Sequence, residues 1–318
     1  MSQTMHEHKP AVQFPGQGAQ KVGMGEDLYN REPLAEQTFD RANEQLGYDL
    51  ADVCFNGPEE RLTETRHSQP AIFVTSLAFY RVLQEKLDEP IEPAATAGLS
   101  LGEYTALVAA GALRFDDALK VVQVRARAMQ DACDERPGGM RSIMGMDRKE
   151  VEAVCEELQD QGIIDVANVN APNQIVISGE EDVLDQAEDV LEERGAGRIV
   201  PLKVAGAFHS RLMEPAAEAV KSALADVEIR PPRFPVIANV TGMQVRDPDD
   251  IRRRLVQQLT SSVLWAPSIQ TMVEEMGIGA FLEVGPGRVL SSLALKVSRD
   301  IETLNIQSVE DLDEFLAN

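Results

Sequence analysis

Gly98-Leu99-Ser100-Leu101-Gly102 separates two runs of opposite character. Before it, Ala94 to Ala97 is a short apolar stretch that reads as a buried strand. After it, Glu103 to Ala110 is rich in helix formers and stops at Gly111. Gly-x-Ser-x-Gly between a strand and a helix is the setting of a nucleophile elbow. The turn is so sharp that only small residues fit at its flanks. Such a turn pushes the serine hydroxyl outward and points the first N–H groups of the helix at whatever the hydroxyl attacks. The same five residues also fit a plain glycine-rich turn. Either way, a strand feeding straight into a helix predicts an α/β chain.

Outward from the elbow the same alternation continues. Ala11 to Phe14 reads as a buried strand ending in Pro15-Gly16-Gln17-Gly18-Ala19-Gln20. That loop is either a surface turn or a place where backbone N–H groups approach a ligand. Pro33 to Leu46 predicts a helix with proline at its start. Ser68 is suited to cap a helix from Gln69 to Lys86. The helix from about Asp116 to Cys133 carries an anomaly. Its apolar stripe is Ala118, Val121, Val122, Met129, Ala132 and Cys133, and Arg125 falls in the middle of it, whereas Arg127 lies on the polar side. A guanidinium on a core-facing stripe needs acceptors. Its stem can snorkel outward, it can pair with an internal carboxylate, or it can hold the carboxylate of a ligand.

From Gly139 to Leu202 the order reads strand, helix, strand, strand, helix, strand: Met140–Met146, Arg148–Gln161, Ile163–Asn168, Gln174–Ser178, Glu180–Arg194 and Arg198–Leu202. That is a ferredoxin-like βαββαβ unit. Because α/β pattern resumes on both sides, the expected organisation is a large domain from residues 1–136 and 206–318 with a subdomain, 137–205, inserted into it. Beyond the insertion, Pro235–Val240 and Ala280–Val284 read as strands, Asp249–Leu259 as a charged helix whose Arg252-Arg253-Arg254 is a solvated face, and Val309–Leu316 as a short terminal helix. Of the four histidines, His6 and His8 fall in a polar N-terminal stretch and His67 precedes an expected helix cap, where it should be exposed. His209 sits at the domain crossing, as a general base in a cleft would, although a helix-capping role fits equally. An unperturbed histidine titrates near about pH 6.5, so a histidine base predicts a rate that falls through that pH.

Composition narrows the class. The chain has 318 residues, 43% hydrophobic and 26% charged, as in an ordinary globular protein. A formal net charge of −23 argues against nucleic-acid binding. It also means that an acidic partner would need a local basic patch. No apolar run is long enough to span a membrane. The first ten residues resemble neither a secretory signal nor a transit peptide, so a cytoplasmic protein is expected. Three cysteines without metal-ligand spacing predict free thiols and no metal site.

Six short motifs, weak singly, occur together in one order: Phe14-Pro15-Gly16-Gln17-Gly18; Ser68-Gln69-Pro70-Ala71; Gly98 to Tyr104; Arg125 through Met129-Gln130; Ala207-Phe208-His209-Ser210 with Leu212-Met213; and Glu283-Val284-Gly285-Pro286-Gly287. In this the chain resembles the malonyl-coenzyme A:acyl carrier protein transacylases of fatty acid synthesis, over nearly all its length after the first ten residues. The resemblance implies an α/β-hydrolase-like large domain with an inserted ferredoxin-like subdomain. It implies that Ser100 is the nucleophile, His209 its base, and the backbone N–H groups of Gln17 and Leu101 the oxyanion hole. Arg125 would receive the malonyl carboxylate, with Gln69, Met129 and Phe208 shaping the acyl end. The backbone carbonyl of Gln258 would orient His209. Malonyl-coenzyme A and acyl carrier protein would be the partners, no cofactor would be needed, and the chain is expected to be monomeric. Arg198, Lys203 and Arg288 are candidates for docking the carrier. One departure stands out: the family usually has histidine where this chain has Leu99. A thioester hydrolase built on the same serine and histidine, and a noncatalytic docking module, remain rivals at this stage.

Ser100→Ala is expected to abolish a covalent acyl adduct and leave the fold intact, since the two side chains are close in size. Intact mass after incubation with malonyl-coenzyme A checks this, and an adduct of undiminished yield would place the nucleophile elsewhere.

Overall fold

The structure, a computed structural model, describes residues 9–317. His6 and His8 lie outside them. Ten strands occur among the described residues: β1 (Ala11–Phe14), β2 (Ala95–Gly98), β3 (Gly139–Met144), β4 (Ile164–Ala171), β5 (Gln174–Gly179), β6 (Arg198–Pro201), β7 (Val236–Ile237), β8 (Gln244–Val245), β9 (Ala280–Val284) and β10 (Glu302–Ile306). They make two sheets. One has the order β10-β9-β1-β2-β7-β8, parallel except for the terminal β7–β8 pair. The other has the order β4-β5-β3-β6 and is antiparallel throughout.

The larger sheet is buried on both faces, as parallel sheets are. Successive side chains of a strand point to opposite faces. Val12 and Phe14 of β1, Leu282 and Val284 of β9 and Val236 of β7 join a core built with helices Pro33–Leu46, Thr65–Lys86 and Phe115–Glu135. Their neighbours Ala11, Phe281 and Ile237 join a second core with Trp265, Ile269, Leu290 and Leu293. The smaller sheet packs helices Arg148–Leu158 and Glu181–Glu193 over its own core, including Ile143, Val154, Ile164, Ile177 and Leu184. β4 of the smaller sheet is tied to the segment before helix Trp265–Gln270, where Val169 N–H donates to Val263 O (2.9 Å) and Val263 N–H to Ala167 O (2.8 Å). β4 carries register shifts between Val166 and Asn168 and between Val169 and Ala171. Such irregularities re-aim side chains.

Several expectations are corrected. The helix expected from Gln69 begins at Thr65, because His67 and Ser68 N–H already close on Glu64 O (both 2.9 Å); Ser68 and Pro70 are inside it. His67 is half-buried, edge-on to the Tyr48 ring at 5.2 Å, and not exposed. The run Pro235–Val240 yields only two strand residues. Of the three consecutive arginines only Arg253 is a solvated side chain. Arg252 donates to the carbonyls of Leu224 and Val227, satisfying the end of helix Glu214–Ala225, and Arg254 pairs with Asp250 at 2.8 Å.

The elbow is held by backbone contact. A Cβ on Gly98 would lie 2.0 Å from the Gly102 carbonyl, and one on Gly102 would lie 2.2 Å from Phe14 O. Nothing flexible can yield there. Gly102→Ala is therefore expected to cost about 3 kcal/mol, the upper end of overpacking. Gly279→Ala is expected to be near neutral, since nothing lies within 4 Å of its added Cβ. Urea unfolding midpoints of the two variants check the contrast.

Candidate active site

Ser100 tops the turn between β2 and helix Gly102–Ala109 with φ 52°, a left-handed backbone rare for a residue with a side chain. Strain of that kind costs roughly 1–3 kcal/mol and persists only where surroundings over-determine it. Asn239, two residues past β7, does so. Its Oδ1 accepts from Ser100 N–H (2.7 Å) and its Nδ2 donates to Gly98 O (2.8 Å).

Ser100 Oγ lies 2.8 Å from His209 Nε2, and His209 Nδ1 lies 2.8 Å from Gln258 O. A carbonyl only accepts, so Nδ1 carries the proton and Nε2 is left free to take one. His209 is itself left-handed, φ 59°, and 4% exposed. Burial, with the Arg125 charge nearby, pushes its pKa down to about 4, against the pull of the Gln258 carbonyl. The ring is a neutral acceptor well below the pH expected of a free histidine.

Arg125 lies beneath the pair, 1% exposed. Its guanidinium donates to Gln69 Oε1 (2.6 Å), Ser100 Oγ (2.9 Å) and Gln258 Oε1 (3.0 Å), and it faces the Tyr104 ring at 5.7 Å. Its Nε has no hydrogen-bond partner. Among the described residues no carboxylate pairs with it. The outward-snorkelling and internal-ion-pair readings of Arg125 therefore fall away. What remains is a buried, permanently charged group held only by neutral acceptors, which leaves its charge uncompensated. Arg127 is exposed, as its helical position predicts.

A cleft of about 500 Å³ opens over Ser100 and His209. Gln17, Met129, Phe208 and Leu99 line it. Gln69 Nε2 reaches Gln17 Oε1 and Met129 Sδ, both at 3.4 Å. Leu101 opens the helix directly after the serine. Gly16 presses so closely on the elbow that a Cβ there would lie 2.4 Å from Leu99 O, which brings the Gln17 backbone alongside. Leu99 packs against the apolar group of Trp265, Leu290 and Leu293. Asn168, Asn170 and Gln174 from the smaller sheet and exposed Lys203 form the opposite wall. Arg198 and Arg288 are exposed outside it, and Arg288 pairs with Asp311 at 3.3 Å.

Two residues escaped the sequence reading. Asn239 fell inside the run Pro235–Val240 read as a strand, where nothing marked its side chain. Glu103 stands next to the elbow and is 3% exposed. Its Oε2 accepts from Gln258 Nε2 (2.6 Å) and Asn239 N–H (3.3 Å). Burial pushes this carboxyl up to about 7, opposed by those hydrogen bonds and by Arg125. The Gln258 side chain was also missed: it donates to Ser100 O (3.0 Å) and to Glu103 and accepts from Arg125.

Residues 13–309 match the acyl transferase domain family. The chain is 42% identical over 306 residues to the malonyl CoA-acyl carrier protein transacylase of Bacillus subtilis, covering 96% of this chain and 95% of that one. It is 38% identical over 311 residues to the protein of the same name from Haemophilus influenzae, covering 97% and 99%. Among solved structures it superposes on a malonyl-transacylase in complex with the holo acyl carrier protein of a type II polyketide synthase, with TM-score 0.93, 38% identity and coverage of 98% and 100%. An acyl-carrier-protein S-malonyltransferase from Bartonella henselae gives TM-score 0.92, 38% identity and coverage of 98% and 99%. The mixed α/β fold with its parallel sheet is shared with these structures.

Burial of His209, with Arg125 nearby, moves the expected fall from near pH 6.5 to lower pH. Phosphonylation of Ser100 by a serine-directed fluorophosphonate should stay flat from pH 8 to about 5 and fall only as His209 protonates near about 4. The His209 ring signals in a 15N NMR titration should move over the same range.

Proposed function

The chain belongs to the acyl transferase domain family, and from that membership and the geometry beneath Ser100 we propose that it transfers a malonyl group from malonyl-coenzyme A to the phosphopantetheine thiol of acyl carrier protein, in fatty acid biosynthesis. The observation that carries the choice of acyl group is the buried guanidinium 2.9 Å from the Ser100 hydroxyl, with no carboxylate of its own. In a malonyl group one methylene separates the acyl carbon from the carboxylate. An acyl carbon on Ser100 Oγ thus places that carboxylate within reach of Arg125.

Transfer takes two steps. His209 Nε2 accepts the Ser100 proton as Oγ attacks the thioester carbonyl, while the Gln258 carbonyl stabilises the imidazolium that forms. The oxyanion is received by the N–H groups of Gln17 and Leu101, each typically worth about 2.7–4 kcal/mol. The tetrahedral intermediate collapses, coenzyme A leaves as its thiol with the proton from His209, and malonyl-serine remains. The carrier thiol then gives its proton to His209, attacks the ester and releases Ser100. Arg125 holds the carboxylate through both steps, and Gln69 Oε1 and Gln258 Oε1 hold Arg125. Gln69, Met129 and Phe208 bound the acyl end. Lys203, at the cleft, is the best-placed of the three candidate cations to meet an acidic carrier.

For the fold we read an α/β-hydrolase-like large domain formed by the segments up to 136 and from 206, with 137–205 inserted as a ferredoxin-like subdomain. The parallel sheet with a serine elbow after β2 supports the first. The antiparallel order β4-β5-β3-β6, with one helix after β3 and one after β5, supports the second. Three free, buried cysteines fit a cytoplasmic setting. No helix among the described residues is long and apolar enough to cross a membrane.

Arg125→Ala should lower kcat/KM for malonyl-coenzyme A by on the order of 2–5 kcal/mol, as for one partner of a buried charge pair. Acetyl transfer should hold or rise. Arg125→Lys should recover only part, lacking the planar fork. Arg127→Ala, on the exposed side, should leave the preference unchanged. Steady-state kinetics with both thioesters check these outcomes, and loss of malonyl preference in Arg127→Ala with its retention in Arg125→Ala would reverse the assignment.

A further inference from the structure

Gln258 meets every part of the site at once. Its backbone carbonyl takes the His209 Nδ1 proton, its side-chain oxygen faces Arg125, and its side-chain nitrogen donates to Ser100 O and Glu103 Oε2. A side-chain amide has an acceptor end and a donor end, and its neighbours decide which way it faces. Only an oxygen facing Arg125 helps that cation; a flipped amide would set NH2 against guanidinium NH2. Ser100 O is a weak anchor for the donor end, because it already accepts from Glu103 N–H at 3.1 Å. Glu103 Oε2, at 2.6 Å, is the shorter partner. The same oxygen accepts from Asn239 N–H, and the Asn239 side chain holds the Ser100 backbone.

We propose that Glu103 is a positioning residue for malonyl selection: its carboxyl oxygen fixes the Gln258 amide with the oxygen toward Arg125 and ties that amide to Asn239, so that the guanidinium fork is aimed at the carboxylate of the acyl group. The inference rests on the function proposed above. Glu103 lies behind Gln258, is not part of the cleft lining and touches neither the reacting atoms nor the substrate. The role asks for an acceptor, not for a full charge. A protonated carboxyl keeps a carbonyl oxygen, and so does glutamine. The pH profile is therefore left to His209.

The experiment compares kcat/KM for malonyl- and acetyl-coenzyme A in wild type, Glu103→Met, Glu103→Gln and Glu103→Asp, with thermal melts of each. Glu103→Met fills the same space without the oxygen. It should lower malonyl transfer about 10- to 100-fold and acetyl transfer less than about threefold, because acetyl has no carboxylate to aim at. Glu103→Gln should stay within about threefold of wild type for both. Glu103→Asp, which withdraws the oxygen by one methylene, should show the malonyl-selective loss in smaller degree, and it carries the test if Glu103→Met does not fold. Equal loss of malonyl and acetyl transfer would make Glu103 a support of the elbow alone and overturn the inference. So would a malonyl preference that survives in Glu103→Met, or in Glu103→Asp where that variant carries the test. Arg125→Ala run alongside separates the two levels. If it keeps the malonyl preference, the proposed function fails; if it loses the preference and the Glu103 variant keeps it, only the role of Glu103 fails.

Discussion

Three backbone segments touch with no side chain between them: the end of β1 and its loop, the Ser100 turn, and the first turn of the helix that follows. Gly16 faces Leu99 O, Gly98 faces Gly102, and Gly102 faces Phe14 O, all at distances that no Cβ could share. This contact forces Ser100 into a left-handed conformation and presents its hydroxyl. It also sets the Gln17 loop beside the serine. Nucleophile, helix N-terminus and facing loop are thus one rigid body. His209 and Gln258 reach it from sequence positions more than a hundred residues away.

The charge arrangement follows from burial. Desolvation of the buried ring, and after it the guanidinium under the serine, lower the His209 pKa and keep the ring neutral over a wide pH range. The same guanidinium would be a liability in the empty enzyme if it had no partners. Gln69, Gln258 and the Tyr104 ring hold it without cancelling its charge. A carboxylate in their place would give a more comfortable ion pair and a worse receptor.

How much of this was legible depended on how local the cause was. Glycines at fixed spacing around Ser100 are a backbone requirement written at one point in the chain, so the elbow could be read. The inward-facing Arg125 could be read because helical periodicity alone gives its face. Helix Pro33–Leu46 was read to the residue, with proline at its start and a left-handed glycine at its end. The short helices Leu50–Asn56 and Trp265–Gln270 were not read, having too few turns to show a period. Edge strand β10 was missed because it is only half-buried and its sequence, Glu-Thr-Leu-Asn-Ile, alternates weakly. Asn239 and the Gln258 side chain were illegible for a different reason. Their importance comes from contacts across 139 and 158 residues of chain, which no local pattern encodes.

The smaller sheet contributes to the cleft in another way. Asn168, Asn170, Gln174 and Val176 of β4 and β5 form one wall, yet none of them hydrogen-bonds to the serine, the histidine or the arginine. β4 is hydrogen-bonded to Val263, which packs in the apolar group of Trp265 and Ile269. The register shifts of β4 let single insertions or exchanges rotate a side chain into or out of the wall. Variation there can change the shape of the cleft while the hydrogen bonds around Ser100 stay fixed. Mechanically, the wall strands can shift a side chain at the mouth of the cleft while the hydrogen bonds among Ser100, His209, Arg125 and Gln258 stay as they are.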